Sequence, residues 1–391
     1  MRVLLVEPDF NSLFVNFANE LARRKGVEVH YLAREELKKG LREGSFHGVH
    51  VHTLTTTNIL IKLLHLPTYI LLRFVSGRAR AYYAQFPEAP LYRGLRKEMD
   101  AIRPDIVIVN PVEFIYSFQV ARFCRKNGIR YYVQSEMHSP AQTAIDNVAA
   151  GVLRSLIRRR ILPSCSRFFC WTKQGEDFWK RRLSPEEGKK VALLPAGVDG
   201  RIFKRRESTH AGRTRRFLVI ARLVKYKDHA TVIAALRMLK ERTRERFTCT
   251  FLGEGPLEGE IRQQIRENGL TGIITLKKPV QYREIPDVYA SHDCLVLASR
   301  NEAIGMVVPE ALACGIPCIV PDTGGPSTYI THGKNGLVFR TGDPASLGAA
   351  LQRMLEEREY RRMQEEAARG RERLLWRSVV TGLLGMMEEK G

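Results

Sequence analysis

Short apolar runs alternate with longer amphipathic stretches along most of this chain, and the alternation begins twice. In the first half, residues 1–7 (MRVLLVE), 27–32 (VEVHYL), 47–54 (HGVHVHTL), 105–110 (DIVIVN) and 129–134 (IRYYVQ) predict strands. Helix-length segments such as 11–24 and 111–126 lie between most of them. The runs at 105–110 and 129–134 are apolar nearly throughout, as strands covered on both faces are. That pattern predicts βαβ units and a parallel sheet. Residues 204–216 (KRRESTHAGRTRR) then break the alternation with a polar, highly charged stretch. Strands are predicted again at 217–221, 247–252, 272–276, 294–299, 317–321 and 336–339, with helices at 229–241, 257–268 and 310–314 among them. The expectation is an α/β chain with two parallel-sheet domains, 1–203 and 204–370. Segment 371–391 adds a helix carrying Trp376, expected to pack back towards the first domain. Two facing domains of this kind make a cleft, and the C-terminal edges of their sheets are where ligands bind.

The most informative stretch chemically is 298–320, ASRNEAIGMVVPEALACGIPCIV. A strand ends, a loop carries Glu302, Gly305 permits close backbone approach, and a helix is expected to begin near Pro309. Glu310 falls in that helix's first turn. Free amides at a helix start form an anion site, so Gly305, Met306 and Val307 are candidates to hold a phosphate. An ionised Glu310 only accepts hydrogen bonds, which suits two adjacent sugar hydroxyls. The plainer alternative makes Glu302 a solvated loop acid and Glu310 a partner for the helix dipole. Company decides between them. Arg222 and Lys227 follow the first strand of the second domain, where two cations suit a diphosphate leaving group. For either cation alone, a solvated basic loop is the competing reading.

Composition adds bounds. With 391 residues and 44% hydrophobic content, the chain can bury two cores. No apolar run reaches the length of a membrane span, and MRVLLVE is too short for a signal peptide, so a cytosolic protein is expected. Seven cysteines with no CxxC pair are expected as plain buried thiols. The net charge of +21 is spread over both halves and attracts polyanions without choosing among phosphates, anionic lipid and nucleic acid.

The second half resembles the retaining glycosyltransferases of the GT-B fold, family 4 (glycosyl transferases group 1). The family's Glu–x7–Glu pattern matches Glu302 and Glu310, followed by ALACGIP. Its Arg…Lys pair matches Arg222 and Lys227, and its Gly-x-Gly turn matches Gly253–Glu254–Gly255. Its double glycine matches Gly324 and Gly325, and its hinge motif matches Pro195–Ala196–Gly197–Val198–Asp199 with Phe203. Order and spacing agree over about 190–345.

The resemblance implies two facing Rossmann-like domains and a set of roles. Arg222 and Lys227 would neutralise the donor diphosphate. Glu310 would bind the donor ribose, and Glu302 would contact hydroxyls of the transferred sugar. Amides of Ile304, Gly305, Met306 and Val307 would touch phosphate and sugar, and Val280, with Lys278 and Pro279, would lie by the base. In the first half, His138 in SEMHS is the candidate to approach the donor sugar, against an ordinary loop histidine. The family usually has a glycine-rich loop after its first strand. Here that segment reads EPDFNSLFVNF, with no glycine before Gly26, so no acceptor residue is assigned from it.

No D-x-D triplet occurs, so the donor is expected to be a nucleoside-diphosphate sugar held without a metal. The acceptor would be a glycan or a lipid-linked sugar, in polysaccharide or glycolipid synthesis. Segment 58–75, interrupted by Lys62, His65, Pro67 and Arg73, reads as a core helix or as an interfacial one. The basic-amphipathic stretch 152–162 adds weight to reversible contact with an anionic membrane face. Competing readings are a sugar-nucleotide epimerase or phosphorylase on the same fold, and a basic nucleic-acid-binding protein. The hinge motif and the Arg/Lys pair favour a transferase. No RNP-type motif, zinc finger or helix-turn-helix signal supports nucleic acid as a partner.

Overall fold

The computed structural model describes residues 1–8, 12–35, 46–57, 91–136, 144–205 and 214–388. His138 and the segment 58–75 lie outside them. The chain forms two compact units. One holds Met1–Trp171 and Gly175–Leu193; the other holds Thr172–Gln174 and the chain from Leu194 through the C-terminal helix.

The first unit is built on strands β1 (Arg2–Val6), β2 (Glu28–Arg34), β3 (Val49–Leu54), β4 (Thr56–Thr57), β5 (Leu91–Tyr92), β6 (Ile106–Val109), β7 (Arg130–Ser135), β8 (Arg167–Cys170) and β9 (Val191–Leu193). Seven of them form one parallel sheet in the order β3-β2-β1-β6-β7-β8-β9. β4 and β5 make a separate antiparallel pair. β1 and β6 show why the sheet is central: all but one of their residues are buried, so both faces are covered there. At the sheet's edge, a chain of side-chain contacts from Glu28 through His30 and His52 to Glu98 ties β2 and β3 to the helix Leu95–Ile102. β8 and β9 escape a sequence reading because four and three residues are too short to show a period.

The second unit contains β10 (Arg215–Ile220), β11 (Phe247–Leu252), β12 (Ile274–Lys277), β13 (Cys294–Val296), β14 (Cys318–Pro321) and β15 (Gly336–Phe339). They form one parallel sheet in the order β12-β11-β10-β13-β14-β15. Buried apolar clusters fill both faces, one around Phe217, Phe251 and Leu351, the other around Leu218, Leu295 and Leu312. Strand order reverses between β10 and β13. In open α/β sheets that switch point is where ligands bind, because the loops leaving the two strands diverge there.

The segment Pro195–Asp199 is pinned to the end of the chain. Val198 N–H donates to Leu374 O at 2.8 Å, and Trp376 N–H donates to Val198 O at 3.1 Å. Gly197 has no room for a side chain, since a Cβ there would lie 2.8 Å from the Trp376 backbone. The predicted helix 371–387 is a single turn at Arg371–Leu374 followed by Trp376–Glu388. All seven cysteines are buried and free, and burial pushes the Cys124 and Cys165 thiols up to about 12, which leaves them unreactive. Among the described residues no helix is long and apolar enough to cross a membrane.

Candidate functional site

Two loops leave the switch point of the second sheet. The first runs from Ala221 to Asp228, between β10 and the helix His229–Arg242. It is seated on the Gly253–Glu254–Gly255 turn: Leu223 N–H donates to Glu254 O at 2.9 Å. A Cβ on Gly253 would fall 1.9 Å from Ala221 O, and one on Gly255 would fall 2.5 Å from Leu223 O. The glycines are therefore needed for backbone to meet backbone. The loop closes with a single turn, Lys225–Lys227, which presents Lys227.

The second loop runs from Leu297 to Met306 after β13. Two side-by-side glycines support it from below. Gly325 N–H donates to Glu302 O at 2.9 Å, and a Cβ on Gly325 would sit 2.0 Å from Ala303 O. Gly324 and Gly305 both have positive φ, of 91° and 72°. Gly325→Ala is accordingly expected to displace the Glu302–Ala303 backbone at a cost of about 1–3 kcal/mol. A thermal melt unchanged from the parent would contradict that.

The helix expected to begin near Pro309 begins at Val307 and runs to Ala313. Proline is tolerated two residues further in than expected, because the first turn has no intrahelical acceptor for its missing N–H. Ile304, Met306 and Val307 turn their side chains onto the core. Among the described residues, no protein acceptor meets the amides of Met306 and Val307, while Val308 N–H is taken by Gly305 O at 2.9 Å.

Lys227 Nζ donates to Glu302 Oε2 in an ion pair whose side chains are only 13% and 18% exposed. Residues 75 positions apart thus meet at one spot. A charged pair with so little water around it holds firmly and is costly to break by removing one partner. Arg222 is exposed, and among the described residues no carboxylate lies within ion-pair distance of it. Its guanidinium remains open to an anionic ligand.

Glu310 is buried under two tyrosines. Tyr282 Oη stands 3.3 Å from Oε1, and Tyr289 Oη stands 3.3 Å from Oε2. Tyr289 is also 3.0 Å from Val307 O, so its one proton serves two acceptors. When that proton goes to Val307, the Tyr289 oxygen is free to accept one from a neutral Glu310. Burial raises the Glu310 carboxyl to about 7, against a smaller lowering by the two hydroxyls. Phe203, fully buried, backs the pair with its ring 5.4 Å from Tyr282 and 6.4 Å from Tyr289. Val280 lies just before Tyr282 and is 37% exposed.

The structure therefore brings Lys227 and Glu302 into contact and places the amides of 304–307 on the same loop as Glu302. Glu310 has no contact with either charged residue and sits in its own tyrosine-lined seat. Four residues that sequence reasoning missed complete the arrangement: Tyr282 and Tyr289 around Glu310, and Asp228 and Arg300 beside Lys227. The tyrosines carried a usable signal, since seven residues apart on a helical stretch puts two side chains on one face.

Residues 200–371 match the family model described as "Glycosyl transferases group 1". The mannosylfructose-phosphate synthase of Agrobacterium fabrum is 28% identical over 217 residues, 51% of this chain and 48% of that protein. A D-inositol 3-phosphate glycosyltransferase of Paenarthrobacter aurescens is 27% identical over 178 residues, 43% of this chain and 44% of that protein. The chain thus spans about half the length of the curated relatives it matches. Among solved structures, Anabaena HepE in complex with UDP superposes with a TM-score of 0.70 at 15% identity, covering 100% of both chains. The lipopolysaccharide outer core galactosyltransferase WaaB superposes at 0.69 and 15%, covering 99% of both. These likenesses establish the GT-B fold, with its two parallel-sheet α/β units in tandem.

Proposed function

We propose that this protein is a retaining, metal-independent glycosyltransferase of the family 4 type, moving a sugar from a nucleoside-diphosphate sugar to a glycan or lipid-linked acceptor. One observation carries this reading. The cation suited to a departing diphosphate, Lys227, and the carboxylate suited to the transferred sugar, Glu302, meet at the switch point of the second sheet, on a loop with open amides.

On this reading Lys227 and Arg222 take the charge that develops on the leaving diphosphate, and the amides of Ile304 to Val307 complete the phosphate seat. Glu310 accepts hydrogen bonds from the donor ribose, with Val280 and the adjoining Tyr282 beside the base. Glu302 holds hydroxyls of the transferred sugar and does not attack it. His138 is assigned, by the resemblance alone, to approach the donor sugar. The acceptor enters on the face the leaving group departs from. An oxocarbenium-like transition state then forms, and the departing phosphate oxygen takes the acceptor proton. The catalytic contribution is orientation and electrostatic stabilisation.

A thermal-shift screen against uridine and guanosine diphosphate sugars tests the reading, because a bound donor stabilises the fold by mass action. At least one nucleotide sugar is expected to raise the melting temperature and to be slowly hydrolysed. No shift and no hydrolysis across the panel would refute it. The named relatives are transferases and synthases, which gives an epimerase no support.

Reversible contact with an anionic membrane surface is proposed for a separate reason. On the helix Ala144–Arg160, Leu156 is 44% exposed, and Arg159 and Arg160 follow it one turn on, also exposed. An apolar side chain flanked by cations suits an anionic headgroup layer. Cosedimentation with phosphatidylglycerol vesicles is expected at low salt and is expected to fade as salt screens the charges. Leu156→Glu should abolish it. Equal recovery of the variant with vesicles would show that this face is not used.

A further inference from the structure

We infer that Asp228 and Arg300 form a fixed clasp that holds the Lys227 turn in place while Lys227 itself changes partners. They are positioning residues, not groups that touch substrate. The inference rests on the reading of Lys227 as the cation for a leaving diphosphate.

Asp228 is in an unusual position. It precedes the first residue of the helix His229–Arg242, where an aspartate ordinarily has extended backbone and caps the helix amides with its side chain. Here its φ is 52° and its ψ is 48°, and its side chain makes no cap bond. This left-handed conformation is one that side-chain-bearing residues seldom adopt. The carboxylate is spent elsewhere. Oδ2 accepts from Arg300 Nε at 2.7 Å and from Thr231 Oγ1 at 2.8 Å. The Asp228 side chain is 6% exposed and that of Arg300 is 60% exposed, so the pair is anchored at its acidic end. Gly342 makes room for the guanidinium, since a Cβ there would lie 3.3 Å from Arg300 Cζ.

The clasp is one of three links between the same two loops, over three consecutive residues. Arg300 N–H donates to Tyr226 O at 2.9 Å. Lys227 Nζ donates to Glu302. Arg300 Nε donates to Asp228. Only the middle link uses groups assigned to the donor. When a diphosphate and a sugar arrive, Lys227 must exchange Glu302 for phosphate oxygens and Glu302 must turn to hydroxyls. The outer two links involve neither group, so they persist through the exchange. The turn Lys225–Lys227 then keeps its place, and the ammonium moves by side-chain rotation alone. Without the clasp, the Arg300–Tyr226 backbone hydrogen bond alone, of these three links, would still join the turn to the second loop at the moment its own ion pair opens.

Because leaving-group charge peaks in the transition state, a loosened Lys227 should cost turnover more than donor binding. Misplacement by an ångström is expected to lower kcat about tenfold to a hundredfold. The decisive variant is Asp228→Gly. Glycine keeps the left-handed turn without strain and removes only the carboxylate. Asp228→Gly and Arg300→Ala are both expected to lower kcat with KM for the nucleotide sugar changed less than threefold. The double variant should lose no more than the worse single one, and Arg300→Lys should restore part of the loss. Lys227→Ala is measured alongside. If Lys227→Ala is severely impaired while Asp228→Gly and Arg300→Ala turn over like the parent, the clasp has no positioning role. If both losses occur but simply multiply in the double variant, the two residues do not act as a pair and the inference is likewise overturned. If Lys227→Ala is itself unimpaired, the failure belongs to the reading of Lys227 and not to the clasp. Melting temperatures of all variants separate a local effect from a folding defect.

Discussion

Lys227→Ala is expected to lower kcat by about 10²–10³-fold, the loss typical of removing one preorganised group that meets developing charge. The side chain is 13% exposed, so the charge acts in a setting poor in water, where it is worth more than on an open surface. The folded state should change as well. Glu302 would lose its ion-pair partner while staying mostly buried, so some thermal stability goes with it. The double variant Lys227→Ala/Glu302→Gln separates the two effects: stability should return and activity should not. Turnover of Lys227→Ala within twofold of the parent would show that the lysine has no part in departure of the leaving group.

The second large effect concerns Glu310 and pH. Its carboxyl sits at about 7 in the folded chain against an ordinary value of 4.5, raised by burial. Between those values the native state holds a proton that the unfolded chain releases, so this side chain's contribution to stability falls as pH rises. Above pH 7 the ionised, buried carboxylate costs about 3 kcal/mol relative to its neutral form, which follows from about 1.36 kcal/mol per pH unit. Glu310→Gln has no such proton to lose. It is expected to melt higher than the parent at pH 8 and to converge with it near pH 4.5.

Binding should run the other way. A ribose offers two hydroxyl donors, which only the ionised carboxylate can fully use. Nucleotide binding is therefore expected to release a proton near pH 7 and to weaken as pH falls below it. In Glu310→Gln the affinity should drop about tenfold to a hundredfold, the worth of one charge-assisted hydrogen bond, and lose its pH dependence. Calorimetry with UDP and its 2′-deoxy analogue from pH 5.5 to 8.5 checks this. A dissociation constant that is flat across that range in the parent would rule out the proton-linked seat.

Much of the fold was legible in the chain. Every strand run read from apolar patterning corresponds to a strand: 105–110 to β6, 217–221 to β10, 317–321 to β14. These runs lie in strands covered on both faces, so they are apolar nearly throughout and the signal is strong. The last strands of the first sheet, RFFC and VAL, were too short to read. The helix at Glu310 began two residues early because a proline signals only that a helix starts nearby, and the whole first turn tolerates it.

For the site, the chain by itself determined which groups are present and in what order: two cations after the first strand of the second sheet, two glutamates with seven residues between them, and paired glycines. These are local facts, set by residue identity and by turns such as the one that Gly305 permits with its positive φ. Only the tertiary structure decided who meets whom. The switch point of the second sheet places β10 beside β13, and so puts Lys227 on Glu302 across 75 residues of chain. The same packing brings Arg300 to Asp228 and closes two tyrosines over Glu310. Burial, which sets the charge state of Glu310, depends on every element around a side chain at once. No window of sequence carries that sum.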